Sequence, residues 1–142
     1  MVSSFSPDRK WWLLYRGAGD DLLFGGGGIN LIYGGAGADV MYGDTGSDFF
    51  TFEAASDSTS ANHDTIVDFE LGLDFFDLFA MTSDLTFIGA NTFSASGDAE
   101  VGVTTPSGVS SIVPVNVEGN GTVDMEILLL NATGLTAAEF GI

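Results

Sequence analysis

Asp21, Asn30, Asp39 and Asp48 recur at nine-residue intervals in the first third of this 142-residue chain. Each ends a glycine-rich hexapeptide. Gly17 and Gly19 lead into Asp21, Gly26 and Gly28 into Asn30, Gly35 and Gly37 into Asp39, and Gly46 into Asp48. Glycine permits positive φ, so such a segment turns sharply and aims its carbonyls at one spot beside the carboxylate. Hard oxygens in a flexible cage of about six to eight ligands suit Ca²⁺. Mg²⁺ is smaller and slow to shed water, and fits less well. The charge balance agrees: 20 acidic residues against 3 basic ones give a net charge of -17. Nucleic acid and anionic membrane surfaces are recognised through Lys and Arg, so this composition argues against both and for cations. A compact chain this acidic repels itself unless counter-ions offset the charge.

The elements that must position these oxygens follow from the same period. Four nonapeptides can be aligned: RGAGDDLLF (16–24), GGGGINLIY (25–33), GGAGADVMY (34–42) and GDTGSDFFT (43–51). The nonapeptide is an established calcium-binding β-helix repeat. After each turn, three residues suffice for a short strand, and alternation sends position eight to one face and positions seven and nine to the other. Strand and turn then wind a flattened parallel coil with two repeats per revolution and Leu23, Ile32, Met41 and Phe50 inside. Turns stack first on third and second on fourth, pairing Asp21 with Asp39 and Asn30 with Asp48. The second pair is the weaker, since Asn30 brings an oxygen but no charge. Leu22, Leu31, Val40 and Phe49, with Phe24, Tyr33 and Tyr42, face outward as an apolar surface of the kind that marks a contact. Trp11, Trp12 and Leu13 are expected to cover part of it, or a neighbouring domain or copy does. A low-complexity linker would not hold this phase, and no phosphate-cradling G-x-G-x-x-G or G-x-x-x-x-G-K-[ST] occurs.

Other chemistry is poorly supplied. There is no cysteine for a disulfide or a thiolate zinc site. The single histidine, His63, reads as a surface residue; it rules out H-E-x-x-H, and nothing positions a nucleophile for a serine triad around it. The apolar run Trp11–Tyr15 is shorter than a secretory signal requires, and no stretch approaches the roughly 18 apolar residues of a membrane helix.

Composition changes at Phe52. A strand is expected at Thr65–Phe69, a turn at Leu71–Leu73 and a strand at Phe75–Phe79. Asp64, Asp68, Asp74 and Asp77 fall beside these as turn-formers or solvated edge charges. Asp64 stands out, because it returns near the end of the roll, where the last turn needs a partner. Alternation in Val113, Val115 and Val117, and in Val123, Met125, Ile127 and Leu129, predicts a hairpin around Glu118–Gly121. Residues 116–124 faintly resemble an acidic calcium loop, against a plain hairpin turn. Thr136-Ala-Ala-Glu139 has capping-box spacing and predicts a single helical turn. The sequons at Asn120 and Asn131 are read as chance.

These motifs together resemble a known family. The nonapeptides are similar to those of RTX (repeats-in-toxin) proteins. "DTIVDFELGLDFFDLF" and "VEGNGTVDMEILLLNATGLTAAEFGI" resemble the C-terminal region of serralysin-type (M10) metalloproteases. The resemblance implies an all-β chain: a right-handed parallel β-roll, then an antiparallel β region with a short C-terminal helical turn. It implies calcium between the turns and a bacterial, extracellular protein. Export would run through a type I ABC transporter that reads an uncleaved C-terminal signal, here Glu139, Phe140 and Ile142, with Gly141 departing from the family's apolar ending. Arg16, Asn30 and Phe79 also depart from its pattern. The expected division is an N-terminal segment of unknown role (1–15), the roll (16–52) and a secretion domain (53–142). The function expected is a non-catalytic, calcium-binding secretion and folding module, with an upstream catalytic domain or self-association as possible partners. The competing readings are a carbohydrate-binding or enzyme-assisting module and a calcium-dependent structural or adhesive protein.

Overall fold

The computed structural model describes residues 11–142, an almost entirely β chain. Twelve strands follow in order: β1 Trp11–Tyr15, β2 Leu22–Phe24, β3 Gly27–Tyr33, β4 Val40–Tyr42, β5 Thr45–Gly46, β6 Phe49–Thr51, β7 Asp64–Ile66, β8 Phe75–Asp77, β9 Leu85–Gly89, β10 Ala99–Gly102, β11 Ser111–Asn116 and β12 Met125–Leu129. Short 3₁₀ turns lie at Ala55–Asp57 and Ala137–Phe140.

The nine-residue phase gives the expected stacking. β2 pairs in parallel with β4 through Leu23↔Met41, and β3 pairs with β6 through Ile32↔Phe50. Leu23, Ile32, Met41 and Phe50 are completely buried between the two sheets, each worth about 1.5–3 kcal/mol of transfer free energy. The roll does not end at residue 52. β7 adds to β4 and β8 adds to β6, both in parallel. The expected strands Thr65–Phe69 and Phe75–Phe79 are therefore three residues each, as deep as the roll's own strands, with the turn at 71–73 between them.

One roll face then continues into the rest of the chain. The second sheet runs β2-β4-β7-β12-β11-β10-β9, the other β1-β3-β6-β8 with β5 against β3. Antiparallel pairing is confined to β12-β11-β10; β7 with β12, and β9 with β10, are parallel. The hairpin's strands reach Ser111↔Leu129 and Val115↔Met125, while Val123 lies exposed in a longer connection. A single core joins Ile32 and Phe50 to Val113 and Ile127. Stacked rings at Phe69–Phe76 (4.9 Å) and Phe76–Phe140 (5.0 Å) tie the last turn to it.

Residues 11–15 correct one expectation. Trp11, Trp12 and Leu13 do not lie over the outer face; they lengthen it, because β1 pairs edge to edge with β3 (Leu14↔Ile32). Leu14 enters the core, and Trp11 (64% exposed) and Leu13 (58%) stand outside with Tyr15. Main-chain hydrogen bonding to a free sheet edge won over side-chain cover. Residues 11–15 are thus part of the roll rather than a separate segment.

Candidate metal centre

Position six of the repeat is where the roll gathers its oxygens. In one column the Asp21 N–H donates to Asp39 Oδ1 at 2.7 Å, and the Asp39 N–H donates to Asp64 Oδ1 at 2.8 Å. In the other, the Asn30 N–H donates to Asp48 Oδ1 at 2.9 Å, and the Asp48 N–H to Asp74 Oδ1 at 2.9 Å. The Asn30 side-chain amide adds a bond to the same Asp48 oxygen at 2.7 Å. Asp39, Asp64, Asp48 and Asp74 therefore each spend one oxygen on the backbone of the preceding layer.

The other oxygens decide what the columns can do. Asp39 Oδ2, Asp48 Oδ2, Asp64 Oδ2 and Asn30 Oδ1 are buried with no hydrogen-bond partner. A buried ionised carboxylate without a partner is costly, so burial favours the protonated form. Burial pushes Asp64 up to about 8 and Asp48 to about 6, and raises Asp39, against the pull of the N–H groups that each accepts. Neighbouring carboxylates add repulsion: Asp21 and Asp20 on Asp39, Asp39 on Asp64. Burial raises Asp74 as well, but both its oxygens are engaged, Oδ2 by the Glu70 N–H at 2.8 Å.

The glycines supply the rest of the cradle. Turn rests on turn through Ala36 N–H to the Gly17 carbonyl (3.0 Å), Gly19 N–H to that of Ala36 (2.7 Å), Thr45 N–H to that of Gly26 (3.2 Å) and Ser47 N–H to that of Gly28 (3.2 Å). Gly35 and Gly37 lie so close against Gly17 and Gly19 that a Cβ would meet their carbonyl oxygens. At Gly46 both demands coincide: φ is +136°, and a Cβ would strike the Gly28 carbonyl. A Cβ at Gly34 or Gly43 would occupy the space held by the unpartnered oxygen of Asp39 or Asp48.

Among the described residues no three His, Cys, Asp or Glu side chains converge. A cation in either column would thus take side-chain oxygens from stacked position-six residues and the remainder from turn carbonyls. Unpartnered buried oxygens beside closely stacked glycine turns fit a hard divalent ion.

Sequence reasoning passed over Asp74, which ends the second ladder as Asp64 ends the first. The signal was present: Asp74-Phe75-Phe76 copies Asp48-Phe49-Phe50, and Asp64-Thr65-Ile66 copies the Asp-x-apolar pattern of Asp39-Val40-Met41. It also passed over an outer set of acids that clamp the turns. Asp20 accepts from Ala38 N–H (2.9 Å), Asp44 from Gly26 N–H (3.1 Å), and Asp68 from the N–H groups of Gly43 and Asp44 (both 2.9 Å). His63, expected at the surface, is half-buried beside Asp64, with its Nδ1 unpartnered. The 116–124 loop turns its oxygens on itself. Asn116 Oδ1 accepts from Asn120 N–H (3.2 Å), and Asp124 Oδ2 from Val117 and Glu118 (2.8 and 3.1 Å).

The C-terminal residues divide. Glu139 is buried and accepts from the Thr136 N–H (2.7 Å) and hydroxyl (2.9 Å), closing the capping box, and Phe140 is buried. Ile142 is 46% exposed.

A family model described as peptidase M10 serralysin C terminal matches residues 16–140. Among solved structures, the AlgE6R2 subunit of the Azotobacter vinelandii mannuronan C5-epimerase is similar at 24% identity and a TM-score of 0.63, over 92% of this chain and 85% of that one. The AlgE6R3 subunit of the same enzyme is similar at 23% identity and a TM-score of 0.49, over 92% and 77%. The search of curated proteins found no match.

Proposed function

The chain belongs to the peptidase M10 serralysin C-terminal family, and from that premise we propose that it is a calcium-dependent folding and secretion module. The family is drawn from secreted proteins and describes the part of the M10 peptidases that lies outside catalysis. Its RTX-like repeats generally bind Ca²⁺. Among the described residues no helix is long and apolar enough to cross a membrane.

The observation that carries the reading is the row of buried, unpartnered oxygens on Asp39, Asp48, Asp64 and Asn30. Calcium would supply positive charge and open coordination positions for them. Asp21, Asn30, Asp39, Asp48 and Asp64 would provide side-chain oxygens, and Gly17, Gly19, Gly26, Gly28, Gly35, Gly37 and Gly46 sit in the turns that would provide carbonyls. Without that charge, the stacked carboxylates repel or must take up protons, and the fold loses stability. Extracellular calcium modules bind at about 10⁻⁴–10⁻³ M. At ten times Kd each site adds about 1.4 kcal/mol, and a few coupled sites switch a marginal fold.

The C-terminus supports an order of events. Glu139 and Phe140, which the family resemblance assigns to the export signal, are buried once the chain folds. A type I transporter would read them in the unfolded chain, and folding outside the cell would withdraw them. A second reading, assembly through the roll's outer face, draws on the exposure of Trp11, Leu13, Tyr15 and Ile29.

Far-UV circular dichroism of the chain in chelator, titrated with Ca²⁺ and separately with Mg²⁺, tests the proposal. A disordered spectrum that turns to β with calcium alone is expected. A spectrum fully folded in chelator and unmoved by calcium would refute the switch.

A further inference from the structure

Position nine of the repeat carries an aromatic ring at Phe24, Tyr33 and Tyr42, and a threonine at Thr51. On the sheet that begins with β1, Tyr33 and Thr51 join Tyr15 in one outward column. Tyr15 pairs with Tyr33, and one residue past Ile32↔Phe50 the chain brings Tyr33 beside Thr51. The two tyrosine rings lie 5.6 Å apart and are tilted by 43°. A third ring would continue the ladder, and Thr51 is too short to supply it. The result is a hollow of about 230 Å³ against Tyr15 and Tyr33, with Thr51 in its lining. The turns after β1 and β3 wall it on one side, Glu53 and Asp57 on the other.

The lining has one sign of charge, since no basic residue contributes to it. Asp57 accepts the N–H groups of Glu53 (2.8 Å) and Ala54 (2.9 Å) on Oδ2, which fixes the carboxylate and leaves Oδ1. Glu53 is exposed. Thr51 is 6% exposed, and its Oγ1 is buried with no partner. A buried hydroxyl without a hydrogen bond costs free energy, so the hollow holds an unmet polar group beside its carboxylates. None of these groups belongs to the position-six ladders.

We propose that this hollow binds the guanidinium of an arginine side chain. A guanidinium is planar, stacks on aromatic faces, pairs with carboxylates through parallel N–H bonds and offers donors alone. It lies on Tyr33 in the place of the missing ring, with its N–H groups toward Asp57, Glu53 and Thr51 Oγ1. A lysine ammonium is compact and strongly hydrated and matches the flat ring less well. A neutral pyranose stacks on the rings but leaves both carboxylates without a counter-charge. Free arginine and an arginine within a peptide share the recognised group.

The test is a proton NMR titration of N-acetyl-arginine amide into the folded full chain in calcium. N-acetyl-lysine amide, free arginine and methyl glucoside are run beside it. The arginine amide should bind with a Kd of about 1 mM, its δ-methylene protons moving upfield over the tyrosine ring. The lysine amide should bind at least about threefold more weakly. Free arginine adds an α-carboxylate that the acidic wall repels, so weaker binding assigns the site to a peptide; equal binding keeps the site and assigns it to the amino acid. Thr51→Tyr supplies the missing ring and should abolish binding. Glu53→Gln changes an exposed side chain, keeps the test valid where Thr51→Tyr does not fold, and should weaken binding about two- to fivefold. Equal binding of the arginine and lysine amides, preference for methyl glucoside, binding unmoved by either substitution, or no binding of the arginine amide overturns the proposal.

Discussion

Replacing Asp64 by Asn separates the two tasks of its carboxylate. Oδ1 accepts the Asp39 N–H, which the amide oxygen of Asn reproduces. Oδ2 is buried without a partner, and burial holds the group near 8. An unfolded Asp titrates near 3.9. At pH 7 folding must therefore protonate a group that prefers the charge by about three units, at a cost of up to about 4 kcal/mol. The side chain is fully buried, so solvent screening removes little of this. Asn avoids the cost but leaves an amide N–H₂ in the place of Oδ2, worth about 1–3 kcal/mol if unpaired. In chelator, D64N is thus more stable than the parent by about 1–3 kcal/mol. That is about 1 M in urea midpoint at an m-value of about 2 kcal/mol/M. With calcium at ten times Kd, the parent gains about 1.4 kcal/mol at each site, and D64N loses the increment of the site it helps to build. Paired urea titrations, in chelator with enough trimethylamine N-oxide to fold both chains and in calcium, followed by circular dichroism, give both quantities. A variant less stable than the parent in chelator, with its calcium increment intact, would show that Asp64 is a structural acceptor and that the unpartnered oxygen has no part in cation binding.

Four further outcomes can be checked. Asp64, Asp48, Asp39 and Asp74 are all raised in the folded state, so the folded chain binds more protons than the unfolded one. In chelator, stability is therefore fullest below about pH 4 and falls as pH rises through about 6 and on to about 8; urea midpoints across that range, in the same osmolyte, measure it. In calcium the same groups must release protons, so apparent affinity weakens as pH falls from about 8, which isothermal titration at stepped pH would record. Gly46→Ala places a Cβ against the Gly28 carbonyl at a φ of +136°; it should cost more than about 1 kcal/mol and weaken calcium binding at Asn30–Asp48 before binding in the first column. Phe140→Ala removes a ring stacked on Phe76 and packed near Phe87; it should cost about 3–5 kcal/mol in calcium, seen as a lowered thermal midpoint.

Where glycine, aspartate and apolar residues kept one phase, sequence and structure agree residue by residue: Leu23 with Met41, Ile32 with Phe50. Reading failed where the roll kept its strands but dropped the glycines. Leu13-Leu14-Tyr15 copies Leu31-Ile32-Tyr33 and pairs with it, yet no turn glycine announces a repeat there. Asp74 was hidden by a change of spacing, since the second ladder lengthens from 18 to 26 residues between rungs. Asp64 was recoverable because its return to the roll could be argued from the strand after it. The stretch from Met81 to Ser110 carried no local signal at all. β9 and β10 exist there because β11 leaves an edge to pair, and their entry is fixed by Glu100. That carboxylate accepts the Ser94 hydroxyl and N–H, both at 2.7 Å, and these bonds hold it below the usual carboxylate range. Such partners meet only after the sheet has formed.

The spacing of the rungs also sets how the roll can be built in time. Every parallel pair of the nonapeptides joins residues 18 apart, such as Leu22 with Val40, and Val40 meets Thr65 across 25. Among the register pairs of the larger sheet the shortest separation is Val115 with Met125 in the β11–β12 hairpin, extended by the equally short β10–β11 connection that the Thr104–Ile112 bridge closes. Loop closure grows only slowly with length, by about 0.6 kcal/mol per doubling, but it must be met before any contact offsets it. The hairpin is therefore the natural nucleus. Docking β7 onto it is the slow, long-range step, and β4 and β2 then add one layer at a time toward the N-terminus. Layers lost from the N-terminal end would shorten the roll, whereas removing the hairpin would leave its layers nothing to grow from.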